Sequence, residues 1–243
     1  MSSYGVSLLS GGLDSATVTA HAQGLVDRLT ALTFRYGQTH AREVEAARAI
    51  ASDMGIAHRT VDISFLGEVA WYSALTSPER FPVPSGRSDD EIGFGVPITY
   101  VPLRNTIFLA LGAALAESEA LHAIESLGED PSGTRVVVFL APNAIDYSGY
   151  PDCRPEFFKD AIETINLGSK LATEHGVRIE VETPIIDKTK AEIVHMALEL
   201  GVRLEMTWSC YRGGASPCGE CDSCVLRARG FAEAGVADPA GRG

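Results

Sequence analysis

The residues Ser10 to Ser15 combine the backbone and side chains that bind anions. They read Ser-Gly-Gly-Leu-Asp-Ser and lie between an apolar run, residues 4–9, and residues 16–20, whose sequence is typical of a helix. Glycines let backbone N–H groups approach an anion, and a helix N-terminus favours negative charge. The hydroxyl groups of Ser10 and Ser15 add donors, whereas Asp14 would act through a bridging Mg²⁺ because like charges repel. The pattern predicts a phosphate site, and the alternative is a tight turn with Asp14 or Ser15 as the helix N-cap.

The six-residue string resembles the loop of the PP-loop ATP pyrophosphatases, which grip the pyrophosphate of ATP while AMP passes to a substrate. A Walker loop is excluded because its Gly-Lys-Ser/Thr ending is absent, and the Rossmann pattern of glycines is absent as well. The resemblance implies that ATP is a cosubstrate and that Asp14 and Ser15 have catalytic roles. The residues it assigns to ATP are Leu9, Ser10, Gly11, Gly12, Leu13, Asp14, Ser15, Ala16, Thr17, Val18, Thr19 and Phe34.

A second group of chemically active residues lies near the C-terminus. Four of the five cysteines lie close together there, at Cys210, Cys218, Cys221 and Cys224. Cys-x-x-Cys spacing lets two thiolates reach one tetrahedral ion, and four thiolates would close the site to water, so a structural Zn²⁺ is favoured. The alternatives are an iron–sulfur cluster, scattered buried cysteines or a redox pair.

Composition narrows the class of protein. The 243 residues carry 20 Lys and Arg against 32 Asp and Glu, a formal net charge of −12. So acidic a chain lacks the broad basic surface that nucleic-acid binding requires, and we expect no nucleic-acid partner. No apolar run reaches the ~18 residues of a membrane span, and the first strand begins within four residues, which leaves no room for a signal peptide. The sequence predicts a cytoplasmic protein with no membrane partner.

Apolar runs alternate with amphipathic segments along most of the chain. Strands are predicted at residues 4–9, 29–34, 58–63, 135–140 and 178–181, separated by helices, with a long loop over residues 77–102. Thr189 and Glu192 form a capping box at the start of one helix. This alternation predicts a three-layer α/β fold with a mostly parallel sheet, in which ligands bind at the carboxyl ends of the strands.

The chain as a whole resembles the 7-cyano-7-deazaguanine synthases, the QueC family of queuosine biosynthesis. The resemblance extends over about residues 5–232 and is carried by the loop at residues 10–15, by Phe34-Arg35-Tyr36-Gly37-Gln38 with His40, and by Arg104-Asn105. The Ser148-Gly-Tyr-Pro-Asp-Cys-Arg154 string, Lys190-Ala191-Glu192 and the cysteine group are further matches. The fold it implies is that of the adenine nucleotide alpha hydrolases, a Rossmann-like arrangement. We expect a catalytic domain at residues 1–205, a zinc-binding element at 206–232 and a flexible tail at 233–243.

This resemblance implies a reaction and its partners. The substrates are 7-carboxy-7-deazaguanine, ammonia and ATP with Mg²⁺, one structural Zn²⁺ is bound, and the protein is a homodimer. The acid is adenylated and aminated to an amide, and a second adenylation with elimination of AMP gives the nitrile. Lys190 and Arg104 are candidates to bind phosphate or carboxylate, and the alternative for each is a surface ion pair. The residues predicted to bind the deazaguanine substrate are Arg104, Asp146, Tyr147, Tyr150, Asp152 and Arg154.

Some positions depart from the pattern or stay ambiguous. Leu103 stands where the family commonly has glycine, and Leu103 and Ala141 are expected to narrow or reshape the pocket. Residues 125–134 resemble an insertion. Cys153 is interpreted as a buried thiol, with a nucleophilic role as the alternative. Two other functions remain open: another PP-loop adenylating enzyme, such as an amide-forming ligase or a tRNA thiolase, and a nucleotide-binding regulator without catalysis.

Overall fold

The computed structural model describes residues 2–36, 41–87, 95–143, 149–212 and 214–241. Five parallel strands form one sheet in the order β3-β2-β1-β4-β5. The strands are β1 (Ser2–Leu8), β2 (Arg28–Arg35), β3 (Ala57–Asp62), β4 (Thr134–Phe139) and β5 (Ile179–Glu182). The predicted strands and the parallel three-layer fold are therefore confirmed.

Helices cover both faces of the sheet. They are α1 (Leu13–Gln23), α2 (Ala41–Asp53), α3 (Leu66–Val69), α4 (Arg104–Leu121), α5 (Pro155–Gly168), α6 (Lys170–His175), α7 (Lys190–Glu199) and α8 (Asp222–Glu233). The side chains of β4 show how the core is divided, because successive residues of a strand point to opposite faces. Val136 and Val138 belong to a core cluster with residues of α4, α5 and α6, whereas Val137 and Phe139 belong to a second cluster with residues of α1, α2, α7 and α8.

The order of the strands determines where a ligand can bind. The chain runs outward from β1 to β2 and β3, and then returns to the other side of β1 with β4 and β5. A crevice opens where the direction reverses, at the carboxyl ends of β1 and β4. The loop of residues 9–12 connects β1 to α1 at this point.

Helix α4 bears on the expectation that no apolar segment is long enough to span a membrane. It continues as a π-helical turn through His122–Ser126, and the whole stretch is long and apolar enough to cross a membrane by length and composition alone. Its buried residues Leu109, Ala113 and Ala116 belong to the core beside β1 and β4. We therefore interpret α4 as a core helix of the α/β domain, whose small residues allow it to pack closely on the sheet.

Candidate active site

The loop after β1 forms a compact hydrogen-bonded turn. The Ser10 and Ser15 hydroxyl oxygens are 2.9 Å apart, and the backbone N–H of Ser10 donates to Ser15 Oγ at 3.1 Å. Ser15 Oγ also lies 3.1 Å from the carbonyl oxygen of Gly12, to which it donates. The N-cap of α1 is Gly12, without a side-chain cap, so the alternative in which Asp14 or Ser15 caps the helix is not supported. The two serines stabilise the turn and present hydroxyl groups at the N-terminus of α1.

Gly11 is fixed by two independent constraints. Its φ of +93° lies in the region that side chains rarely adopt, and a Cβ at this position would lie 2.3 Å from the carbonyl oxygen of Glu43. The carbonyl of Gly11 accepts a hydrogen bond from the N–H of Trp208 at 2.8 Å. The loop is therefore held between the first turn of α2 and a C-terminal segment, and any other residue at position 11 would displace it.

Lys190 and Asp14 form an ion pair beneath the loop. Lys190 Nζ donates to both carboxylate oxygens of Asp14, at 2.8 and 3.0 Å. The capping box of Thr189 and Glu192 is present and fixes Lys190 as the first residue of α7. Since Lys190 is buried, the alternative of a surface ion pair is wrong for this residue. The pair places a cation and an anion together at the start of α1, where the pyrophosphate of a nucleotide would bind.

An apolar wall continues from the loop along β2 and α4. The rings of Phe34 and Phe108 stack with centroids 4.4 Å apart, and Tyr36 meets Phe108 edge to face at 5.5 Å. Leu8, Leu32 and Phe158 extend this surface. A wall of this kind binds flat heterocycles such as a purine or a deazapurine.

Arg104 lies among polar groups opposite the loop. Burial alone lowers the pKa of its guanidinium, but the neighbouring Tyr36, Tyr150 and Asp152 raise it, and the net shift is upward. Burial has the opposite effect on the tyrosine hydroxyl and raises the pKa of Tyr150 to about 12. The Tyr150 hydroxyl oxygen lies 2.8 Å from that of Thr99. Asp152 accepts from the N–H of Asn105 at 3.2 Å. The result is a permanent cation that can pair with the carboxylate of a substrate.

Glu43, in the first turn of α2, is the second carboxylic acid on this surface. Burial raises the pKa of its side chain to about 7, and the charge of Arg104 opposes that shift only in part. A carboxyl group with this pKa exchanges protons near neutral pH.

The loop serines, the aromatic wall, Glu43, Arg104 and Lys190 line one cavity of about 310 Å³. Among the residues predicted for the site, those that line it are Leu9, Ser10, Gly12, Leu13, Asp14, Ser15, Phe34, Arg104, Tyr150 and Lys190.

Other predicted residues do not line the cavity. Gly11 acts through its backbone, Ala16 and Val18 belong to the core, and the hydroxyls of Thr17 and Thr19 donate to carbonyl oxygens of α1. Asp152 is buried behind Arg104 and supports it, and Arg154 is exposed at the start of α5. Asp146 and Tyr147 lie outside the described residues.

The four cysteines at the C-terminus come together as predicted. Their sulfur atoms all lie within 4.8 Å of one another, and those of Cys218 and Cys224 are 3.9 Å apart. A tetrahedral Zn²⁺ with bonds of about 2.3 Å separates its sulfur ligands by about 3.8 Å, so this group fits the ion. Backbone N–H groups of Arg212, Cys218 and Cys221 donate to these sulfurs at 3.4 Å. A hydrogen bond from Cys224 lowers the pKa of Cys221 to about 5, which favours the thiolate.

The segment of residues 206–232 that contains the four cysteines, here called the cysteine element, closes the cavity from the C-terminal side. Trp208, Tyr211 and Arg227 line the cavity. The guanidinium of Arg227 donates to both carboxylate oxygens of Asp238, at 2.7 and 2.9 Å. Whether residues 233–243 are flexible in solution stays a prediction, although Asp238 is held by this contact.

The long loop before α4 is attached to the same element. Ser85 forms an antiparallel bridge with Cys221, and Arg87 pairs with the buried carboxylate of Asp222. Leu103 and Ala141 were expected to narrow or reshape the pocket. The Leu103 side chain is 62% exposed and does not line the cavity, so it does not narrow it directly, whereas Ala141 lines it. Whether either residue reshapes the pocket stays a prediction. Leu103 keeps a φ of +56°, the conformation that glycine adopts readily.

Comparison with known proteins identifies the family. A family model described as "Queuosine biosynthesis protein QueC" matches residues 4–235. The chain belongs to the QueC family. It is 48% identical over 236 residues to the 7-cyano-7-deazaguanine synthase of Paramagnetospirillum magneticum, covering 96% of each chain. It is 46% identical to the protein of that name from Thermoplasma acidophilum, covering 96% of this chain and 90% of the relative. The synthase of Magnetococcus marinus is 47% identical over 238 residues.

Several site residues of this QueC chain were not assigned roles from the sequence. Glu43, Trp208, Tyr211 and Arg227 all line the cavity. In the sequence, the available signal for Glu43 was its position three residues after His40, which belongs to the segment that carried the family resemblance. The other three lie in or beside the cysteine element, which was expected to have a structural role and to hold the tail against the active-site face.

Proposed function

We propose that this chain is a 7-cyano-7-deazaguanine synthase, which makes a nitrile from 7-carboxy-7-deazaguanine, ammonia and two molecules of ATP. The observation that carries the proposal is a single cavity with three complementary parts. These are the donor-rich loop of Ser10 and Ser15, the aromatic wall of Phe34 and Phe108, and the cation Arg104. They match a pyrophosphate, a flat heterocycle and a carboxylate, and the family relationship supports the same reaction.

The loop supports the first step, transfer of AMP to the substrate acid. A carboxylate oxygen attacks the α-phosphorus of ATP, and pyrophosphate leaves with the electron pair of the broken P–O bond. Backbone N–H groups and the hydroxyls of Ser10 and Ser15 would stabilise the charge that develops on pyrophosphate. Lys190, held by Asp14, would donate a hydrogen bond to the phosphates at the same end of the cavity. Arg104 would orient the carboxylate for attack.

The following steps need positioning and proton transfer, with no protein nucleophile. Ammonia attacks the acyl carbon and AMP leaves with the oxygen that carried it, which gives the amide. The amide oxygen then takes a second AMP group, and loss of that AMP with two protons gives the nitrile. Both carboxylate oxygens therefore leave on AMP, one on each molecule. Burial raises the pKa of the Cys153 thiol to about 11, which disfavours the thiolate that a nucleophile needs.

The metals have separate roles in this proposal. Mg²⁺ would enter with ATP and neutralise phosphate charge. Zn²⁺ would be held by Cys210, Cys218, Cys221 and Cys224, where it supplies a structural cross-link and leaves no open position for chemistry. Because these cysteines sit beside Trp208 and Tyr211, the cross-link would fix one wall of the cavity.

We also propose a homodimer in the cytoplasm. An exposed apolar group on and beside α3 supports the dimer, since Phe65, Val69 and Tyr72 expose 62, 75 and 59% of their surface. Four reduced cysteines and the use of ATP suit a reducing compartment. Sedimentation analysis of the wild type and of Val69→Glu tests the interface, and a monomer in both, or a dimer in both, would contradict it.

Isotope transfer tests the reaction directly. The protein is incubated with Mg-ATP, ammonia and 7-carboxy-7-deazaguanine that carries ¹⁸O in both carboxyl oxygens. We expect nitrile with two AMP per product, each AMP carrying one ¹⁸O. ADP in place of AMP, or AMP without label, would reject the proposal, and amide as the final product would reject the nitrile step alone. Unlabelled AMP that is released only in the presence of tRNA would instead support the thiolase alternative.

A further inference from the structure

Glu43 is a cavity-lining carboxylic acid whose role the proposed steps have not yet used. The cavity-lining residues that the structure describes include two carboxylic acids, Asp14 and Glu43. Asp14 is bound by Lys190 through both oxygens. Glu43 lies in the first turn of α2, where its backbone contacts the pyrophosphate loop at Gly11 and its side chain experiences the charge of Arg104.

Resting on the proposed function, we propose that Glu43 is the general base of the site and accepts the protons that ammonia and the amide lose. After ammonia attacks the acyl adenylate, the adduct passes an N–H proton to Glu43, and AMP leaves with the C–O electron pair. In the second stage, the N–H protons of the adenylated amide pass in turn to Glu43 and then to solvent, while AMP departs and the C≡N bond forms. No other reactant is needed for this balance.

The surroundings of Glu43 suit this role. Among the described residues, the titratable and charged groups that line the cavity with Glu43 are Asp14, Tyr36, Arg104, Tyr150, Cys153, Lys190, Tyr211 and Arg227. Its own helix also carries Arg42, Glu45 and Arg48. Asp14 and Lys190 neutralise each other, and burial raises the pKa of Tyr36 above its normal value, so it stays protonated. Arg42 is directed to the Ala215 carbonyl and the Trp208 ring. Burial shifts the pKa of Glu43 to about 7, which matches a base that works near neutral pH.

The test begins from the amide, 7-amido-7-deazaguanine, so that the titration of ammonium does not affect the result. Nitrile formation with saturating Mg-ATP is followed between pH 5.5 and 8.5 for the wild type, for Glu43→Gln and for Glu45→Gln. Glu45 is the matched control, because it is an exposed glutamate on the same helix. Adenylation is measured separately, as exchange of labelled pyrophosphate into ATP with the acid as substrate and no ammonia.

We expect the wild-type rate to rise with pH through an inflection near 7, as Glu43 ionises. Glu43→Gln should lose the inflection and form nitrile about 10²-fold more slowly, the usual contribution of a general base. Its pyrophosphate exchange should stay within a few-fold of wild type, and Glu45→Gln should match wild type in both assays.

A thermal melt shows whether the variant folds. The folded protein binds a proton at Glu43 more tightly than the unfolded chain does, because the pKa is raised from 4.5 to about 7. Its contribution to stability therefore falls as pH rises between these values. Glu43→Gln should melt at a higher temperature than wild type at pH 8, and the difference should shrink as the pH falls and disappear below 4.5.

Two results would overturn the assignment. One is an equal loss of pyrophosphate exchange and nitrile formation in Glu43→Gln, which would mean that Glu43 binds nucleotide. The other is an inflection near pH 7 that persists in this variant. A wild type that converts neither acid nor amide would refute the proposed function itself, and would be distinguished from both by its lack of exchange.

Discussion

A glycine in the last helix controls the position of Lys190, and replacing it should impair catalysis more than folding. Gly230 of α8 packs directly on the first residue of α7. A Cβ at Gly230 would lie 2.1 Å from Lys190 Cγ and 2.7 Å from its Cβ. These atoms adjoin the backbone of α7, so the side chain cannot simply swing away. In Gly230→Ala, α8 or Lys190 must move by about 1.4 Å to restore an ordinary carbon contact of ~3.5 Å.

The expected losses of stability and of catalytic rate differ in size. Overpacking of this kind costs about 1–3 kcal/mol, and the better helix propensity of alanine returns about 0.5–1 kcal/mol. The net loss, about 0–2.5 kcal/mol, should lower the melting temperature by up to roughly 10 °C in a domain of this size. A displacement of 1 Å in a charged catalytic group can reduce the rate about 10²-fold. Pyrophosphate release should therefore fall much further than the folded fraction at the assay temperature.

Gly168→Ala is the matched control. Gly168 ends α5, has no atom within 4 Å of its position for a Cβ, and keeps an ordinary φ. This change should be neutral or stabilise by about 0.4–1 kcal/mol, with unchanged turnover. If Gly230→Ala acts through Lys190, it should cause little further loss in a Lys190→Gln background. Wild-type turnover in Gly230→Ala, or fully additive losses in the double variant, would refute the reasoning.

Four further changes test other parts of the site. Asp14→Asn removes the anion that holds Lys190, so pyrophosphate release should fall about 10²-fold or more with an unchanged circular dichroism spectrum; turnover within two-fold would contradict this role. Elemental analysis should find about one Zn²⁺ per chain, and Cys221→Ser should lower the free energy of unfolding by several kcal/mol, whereas the absorption of an iron cluster would overturn the assignment. Cys153→Ala should still form nitrile, and a covalent substrate adduct on the wild-type thiol in mass spectra would argue against this. Leu103→Gly should relieve about 1 kcal/mol of left-handed strain and raise the melting temperature by about 2–4 °C, while a changed ratio of amide to nitrile would mean that Leu103 acts on the pocket.

The fold was largely predictable because each element carries a local signal. The capping box of Thr189 and Glu192 opens α7, as the sequence predicts, and the five strands lie where apolar runs occur. Strand order is also constrained, since parallel strands joined by helices leave few topologies. The π-helical turn at His122–Ser126 has no comparable signal, because it depends on how the end of α4 packs.

The chemistry of the site was predictable only in part, for a physical reason. The loop at residues 10–15 and the four cysteines are local motifs whose spacing defines the geometry. Glu43 and Gly230 have no such spacing. The role of Glu43 depends on burial beside Arg104, and that of Gly230 on contact with Lys190, which is forty positions away in the chain. Such contacts follow from tertiary packing, and a single sequence contains no direct record of them.

The contacts of the cysteine element give it a larger role than support of the chain end. The N–H of Trp208 donates to Gly11 in the loop of residues 10–15, and Arg42 of α2 donates to the carbonyl of Ala215, which lies between Cys210 and Cys218 in the chain. Helix α8 begins directly after Cys221 and contacts Lys190 through Gly230. A catalytic loop that starts at residue 10 is therefore completed by segments more than 190 positions later. Because the proposed Zn²⁺ would hold those segments through four thiolates, its removal should disorder the phosphate end of the cavity before it unfolds the sheet.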